Sequence, residues 1–216
     1  MYKIFVKILQ RDKLNGRTDT PWRAHLGLSD NVGPEWRALY KAALIKAAAD
    51  LQWRILHGIV AVNAFISIIN SDVSHDCPFC TNRETVFHCF MECARLVPVF
   101  AMLENLFGLY GEFFSKQMFI LGYRYSQKTK IKCQLFNFIL GKAKMAIYMS
   151  RKNRIEKAVD DDAVFMFVKM LKARLKIDFN YYRMMKDLES FSRIWCYKNV
   201  LCQLVNEELV FGSMLG

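Results

Sequence analysis

Four residues between positions 77 and 93 constrain this chain more than anything else in it. Cys77, Cys80, His88 and Cys93 follow the spacing Cys-x2-Cys-x7-His-x4-Cys. Zinc favours four such ligands in a tetrahedron, with sulfur at about 2.3 Å and nitrogen near 2.0 Å. Pro78 and Phe79 suit the tight turn that presents the first two thiolates. Four protein ligands fill the coordination sphere and leave no position for water, so the pattern predicts one structural zinc ion (Zn2+) and not a catalytic one. The competing reading is that three cysteines and a histidine are ordinary core residues. Cys89 is a rival ligand, but neighbours on a helix point about 100° apart, so His88 and Cys89 do not both face one ion. His75 is a weaker rival. Thr81-Asn82-Arg83-Glu84 has the form of a capping box, which places His88 on a short helix just after the Cys-x-x-Cys turn.

The other cysteines do not look like a disulfide framework. The chain has seven in all, an odd number, and only four cluster. The opening MYKIFVKILQRDK carries charges throughout and lacks a small-residue cleavage site. A reducing, intracellular setting is expected, in nucleus or cytoplasm, which the residues do not distinguish. The longest apolar run, residues 55–69, holds His57 and Asn63 and is shorter than the roughly 20 residues a span needs. It reads as a buried helix, and no membrane partner is expected.

Periodicity places helices through most of the chain. Residues 11–34 hold Gly16, Pro21, Gly27, Gly33 and Pro34 and read as loop. Trp36, Leu39, Tyr40, Ala43, Leu44 and Ala47 follow helical spacing from Glu35 onward. A second helix is expected from about Asp50 to Ile69, closed by the turn Asn70-Ser71-Asp72. Others are expected over Leu96–Tyr110, 128–157, 163–177 and 181–206, with a short apolar segment at Gln117–Leu121. Strand-like alternation is scarce. The expected fold class is mainly α, a helical domain with a small Cys-Cys-His-Cys zinc knuckle. Its expected parts are a loop-rich lead-in (1–34), a zinc-binding helical domain (35–122) and a basic C-terminal helical region (123–216).

The net charge of +11 is uneven. Residues 123–157 hold ten basic side chains and one acidic one. A concentrated basic stretch is the footprint of a polyanion partner. Lys128, Lys130, Lys132, Lys142, Lys144, Arg151, Lys152, Arg154 and Lys157 are the candidate phosphate contacts, with Tyr123, Tyr125 and Tyr148 as stacking partners for bases. Against this, lysines on a helix usually form its solvated face. Phe136, Phe138 and Tyr148 join or flank the apolar stripe of Leu135, Ile139, Ala143, Ala146 and Ile147 and read as core.

The motifs, taken in order, resemble the zinc-binding domain that follows the reverse transcriptase in LINE-type (non-LTR) retrotransposon polyproteins. The resemblance rests on Trp36-Arg37-Ala38-Leu39-Tyr40, Trp53-Arg54-Ile55-Leu56-His57-Gly58, Cys77-Pro78-Phe79-Cys80 and the run Glu84 to Cys93 (ETVFHCFMEC). The stretch LGKAKMAIYMSRKN, residues 140–153, resembles the helix after the finger. The resemblance implies a C-terminal piece of such a polyprotein. No reverse transcriptase palm or endonuclease is expected: Ala158-Val159-Asp160-Asp161 lacks the aromatic of the catalytic turn, and the aspartates read as charge at a helix N-terminus. The chain also departs from the shorter retroviral knuckle. The expected function is therefore non-catalytic, zinc-stabilised nucleic-acid binding, with RNA as the leading target. The alternatives are a zinc-stapled protein-interaction module and an inert retroelement relic. Self-association or membership of a retroelement ribonucleoprotein is the corresponding partner expectation.

Overall fold

The computed structural model describes residues 22–29, 32–36, 46–124 and 126–216, and within them the chain is mainly helical. The expected helix after Glu35 falls largely on residues 37–45, outside the described residues. A short helical turn at 22–26 precedes α1 (Lys46–Leu56). The single helix expected over Asp50–Ile69 is instead two, α1 and α2 (Asn63–Ile69). Gly58 makes the break. It sits at φ +65°, and the amides of Gly58 and Ile59 donate to the carbonyls of Ile55 and Arg54, both at 3.0 Å. That pair of bonds is a Schellman motif, which closes a helix through a left-handed residue. Continuous apolar sequence concealed the stop, because a backbone signal overrode it. After α2 the expected turn is present: the Asp72 amide donates to Asn70 Oδ1 at 3.0 Å.

The cysteine cluster leads into α3 (Val97–Leu109), with Pro98 in the first turn where its missing N–H costs nothing. The apolar segment before Gly122 forms α4 (Lys116–Leu121), with Ser115 Oγ accepting from the Met118 amide at 3.1 Å. The long basic stretch is α5 (Lys130–Lys157), 28 residues and about 42 Å long. It is the central rod of the fold. α1 packs along one side, and α6 (Ala163–Met184) and α7 (Leu188–Trp195) along another. From Leu135 to Ala143 every residue of α5 is buried. Phe107 stacks on Phe136 at 4.9 Å, and Trp195 meets Phe138 edge-on at 4.9 Å. Both phenylalanines are core, as expected, whereas Tyr148 is only half-buried.

The aspartate run does open a helix: Asp162 Oδ1 accepts from the Val164 amide at 2.8 Å. The expected final helix over 181–206 is not formed. α6 continues to Met184, α7 ends at Trp195, and the chain closes with a two-stranded antiparallel hairpin, β1 (Cys202–Val205) and β2 (Glu208–Phe211). Asn206 and Glu207, at φ +51° and +63°, make its two-residue turn. Such turns need both central residues in the left-handed region, and a glycine there would have announced the hairpin. One apolar core runs from Trp22 to Leu215 and includes residues of every helix named above except α2.

Candidate metal centre

The four residues singled out by spacing converge. One ligand atom from each of Cys77, Cys80, His88 and Cys93 lies within 4.8 Å of all the others. The Sγ atoms of Cys77 and Cys93 are 3.9 Å apart, and Cys80 Sγ is 3.3 Å from His88 Nε2. Sulfurs at 2.3 Å from a tetrahedral ion would be separated by about 3.8 Å. The donor set and its spacing therefore fit one divalent ion of zinc type.

Local folding explains the convergence. The Cys77 amide donates to the Asn82 carbonyl (2.8 Å) and the Glu84 amide to the His75 carbonyl (2.9 Å), so residues 75–84 form a small hairpin. Within it the amides of Phe79 and Cys80 point at the Cys77 sulfur. Burial pushes the Cys77 thiol up to about 12, against those two amides, and burial likewise raises Cys93. Thiols in this position hold protons until a cation replaces them. His88 and Cys93 come from a π-helical turn, His88–Glu92, closed by the Cys93 amide on the His88 carbonyl at 3.0 Å. In an α-helix, residues five apart point about 140° away from each other. The wider π turn brings them to one side, a use of such bulges common at functional sites.

Both rival ligands fall outside the cluster. Cys89 is buried, its thiol pushed up to about 12 by burial and by the nearby Glu84 charge. His75 is exposed, with Nδ1 3.5 Å from Asp76 Oδ1. The expected capping box does not form. Thr81 is exposed, and the residue that caps the turn is Thr85, whose Oγ1 accepts from the His88 amide at 3.0 Å.

Glu84 has another partner. It is 1 % exposed and takes a bidentate pair from Arg151, Nε to Oε1 at 2.7 Å and Nη2 to Oε2 at 2.6 Å. The Asn63 amide adds a bond to Oε2 at 2.7 Å, and Asn63 Oδ1 accepts from Arg151 at 3.0 Å. The charges are thus paired and hydrogen-bonded, the condition under which an ion pair survives burial. Beside it the Arg95 guanidinium lies 3.9 Å above the Phe79 ring and donates to Ser150 Oγ and the Ile147 carbonyl, both at 3.2 Å. These contacts dock the knuckle on the C-terminal half of α5.

The expected phosphate contacts divide accordingly. Arg151 is buried in the pair with Glu84, so it is not available to a phosphate. Lys144, 2 % exposed, donates to Gln52 Oε1 and lies 5.0 Å from the centre of the Phe119 ring. Lys142 is buried beside Phe138. These three expectations are corrected: α5 is enclosed by other helices at its middle, and lysines there point inward. Lys132 is half-buried and paired with Glu112, which also accepts from Tyr123 Oη at 2.9 Å. Tyr123 packs on Phe136 at 4.8 Å and is held in place, not presented for stacking. Tyr125 lies outside the described residues. Lys128, Lys130, Lys152, Arg154 and Lys157 are exposed, and they sit at the two ends of the α5 region.

Over 210 residues the chain is 31% identical to the transposon TX1 uncharacterized 149 kDa protein of Xenopus laevis. The match covers 97% of this chain and 16% of that protein. No family model matches the chain, and no solved structure does.

Spacing found the four cluster residues, because they lie within 17 positions of one another and local folding alone brings them together. It missed Glu84–Arg151, whose members are 67 residues apart. A glutamate inside a cysteine cluster was the only trace, since Arg151 stood among the many basic residues of α5. No helix among the described residues is long and apolar enough to cross a membrane.

Proposed function

We propose that Cys77, Cys80, His88 and Cys93 hold one structural zinc ion, and that the chain is a non-catalytic, nucleic-acid-binding part of a LINE-type retrotransposon protein, with RNA as its target. The observation that carries this reading is the convergence of the four ligand atoms within 4.8 Å in a chain similar along 97% of its length to a transposon protein. Bound zinc would tie the hairpin at 75–84 to the π turn. The knuckle in turn orients α5 through Arg95 and Glu84–Arg151. The five exposed cations at the ends of α5 then supply phosphate contacts, which give affinity without sequence choice.

The test has two steps. Metal analysis of the purified chain should find one zinc per molecule, lost in Cys77→Ser. RNA and duplex DNA titrations at two salt concentrations should then show affinity falling steeply with salt. Neutralising Lys152, Arg154 and Lys157 together should weaken binding for all sequences alike and reduce the salt slope. Unchanged affinity in that triple variant would overturn the phosphate surface.

One observation favours a second reading, a protein-interaction module. α6 exposes Phe165, Ile177, Tyr181 and Met184, the last 81 % exposed. Ile177, Tyr181 and Met184 lie one turn apart on one face. Binding that survives high salt, or self-association lost on Tyr181→Lys, would favour this reading over nucleic acid.

A further inference from the structure

Two thiols meet far from the metal cluster in sequence. Cys196 caps the C-terminus of α7, and Cys202 opens β1. Their Sγ atoms are 3.8 Å apart, in contact. The chain between them makes a 3₁₀ turn, Tyr197–Asn199, in which Lys198 and Asn199 both take left-handed backbone, at φ +51° and +55°. That reversal is what returns Cys202 to Cys196. The Asn199 amide holds it by donating to the Cys196 carbonyl at 2.9 Å.

The two sulfurs are not equivalent. Cys196 is half-buried at the surface, and Cys202 is fully buried behind it. The two thiols share a hydrogen bond, and the Ser192 hydroxyl and Leu204 amide add to Cys196, so the Cys196 thiol is drawn down to about 7 despite its burial. The same bond, then burial, drives Cys202 far up. A more acidic, partly exposed thiol outside and a buried thiol in contact behind it is the arrangement of an attacking and a resolving cysteine. The remaining two thiols lack it. Cys133 is buried and donates to the Arg124 carbonyl at 3.3 Å, and Cys89 is buried without a thiol neighbour in contact.

We propose that Cys196 and Cys202 form an oxidisable dithiol, a modification site separate from the metal cluster, in which a hydroperoxide oxidises Cys196 and Cys202 closes the disulfide. The Cys196 thiolate attacks the nearer peroxide oxygen, the O–O bond breaks, and Cys196 becomes a sulfenic acid as hydroxide (or alkoxide) leaves. Cys202 sulfur then attacks Cys196 sulfur. The S–O bond breaks, and the Cys202 proton leaves with the hydroxyl as water. Two thiols are oxidised by two electrons, and the peroxide is reduced to water and its alcohol. The product links the end of α7 covalently to β1.

The test uses the full chain as purified and one equivalent of hydrogen peroxide. Trypsin cleaves after Lys198, so the peptides holding Cys196 and Cys202 separate unless a disulfide joins them. The expected result is the joined pair, lighter by two hydrogens, before any loss of metal to a chromogenic chelator. Cys202→Ala should leave Cys196 as a sulfenic acid that dimedone traps. In Cys196→Ser, peroxide consumption should fall at least tenfold, with Cys202 unmodified. Cysteine oxidation confined to Cys77, Cys80 and Cys93, or unchanged consumption in Cys196→Ser, would overturn the proposal. The peptide linkage reads Cys196 and Cys202 whether or not the cluster holds metal.

Discussion

Single side chains change meaning once their surroundings are known. Arg151 looked like a phosphate contact and Glu84 like a helix cap, yet each is the other's buried partner. Truncating one leaves the other charged and enclosed. Arg151→Met is therefore expected to cost about 3–5 kcal/mol, while the double variant Glu84→Gln, Arg151→Met recovers most of that loss. Urea denaturation of the two variants beside the unsubstituted chain checks it. Lys144 carries a different signature. Burial pulls its amine from the ordinary 10.5 down to about 7. Between those values the folded chain holds a neutral lysine and the unfolded chain a charged one, so unfolding takes up a proton. Stability from this residue should then rise with pH from about 7 to 10.5 and be flat below about 7. The slope should vanish in Lys144→Met, as read by thermal melts at stepped pH.

Elements begin and end on backbone signals that apolar patterning does not carry. Gly58 ends α1 in a left-handed conformation, and a Cβ built there meets nothing within 4 Å. Gly58→Ala should thus cost only the backbone term, about 1 kcal/mol, with no steric addition. The C-terminal hairpin shows the reverse case. Exposed Glu207 occupies a turn position that favours glycine, at φ +63°. Glu207→Gly should stabilise the chain by about 0.5–1 kcal/mol, measurable as a shift in denaturation midpoint without a change in slope. The missed hairpin and the missed break in the second helix share a cause. Each depends on φ at one or two residues, and hydrophobic periodicity does not report φ. The long helix was legible because the apolar stripe from Leu135 to Ile147 repeats at helical spacing over more than three turns.

For the whole molecule, the knuckle and α5 are mechanically one unit. Arg95, Phe79, Glu84, Asn63 and Arg151 join them, while the C-terminal hairpin packs against α6 and α7. With zinc bound as proposed, its removal by a chelator should raise amide exchange at residues 75–96 and at 147–154 of α5, and leave the hairpin protected. Uniform loss of protection would show that the metal stabilises the whole core instead of its local clamp. The same packing decides the charge surface. A 35-residue basic stretch appeared to be one phosphate-binding face, but enclosure of its middle leaves exposed cations about 33 Å apart along the helix, between Lys130 and Lys152.

The four-residue cluster, the mainly helical class and the extent of α5 were all determined by the sequence alone. Each rests on spacings within a few turns of chain, where residue type and local geometry are enough. Tertiary structure alone decided which charges face water, which glutamate meets which arginine, and that Cys196 and Cys202 touch. Those outcomes depend on what packs against a helix from elsewhere in the chain, and a one-dimensional pattern holds no record of that neighbour.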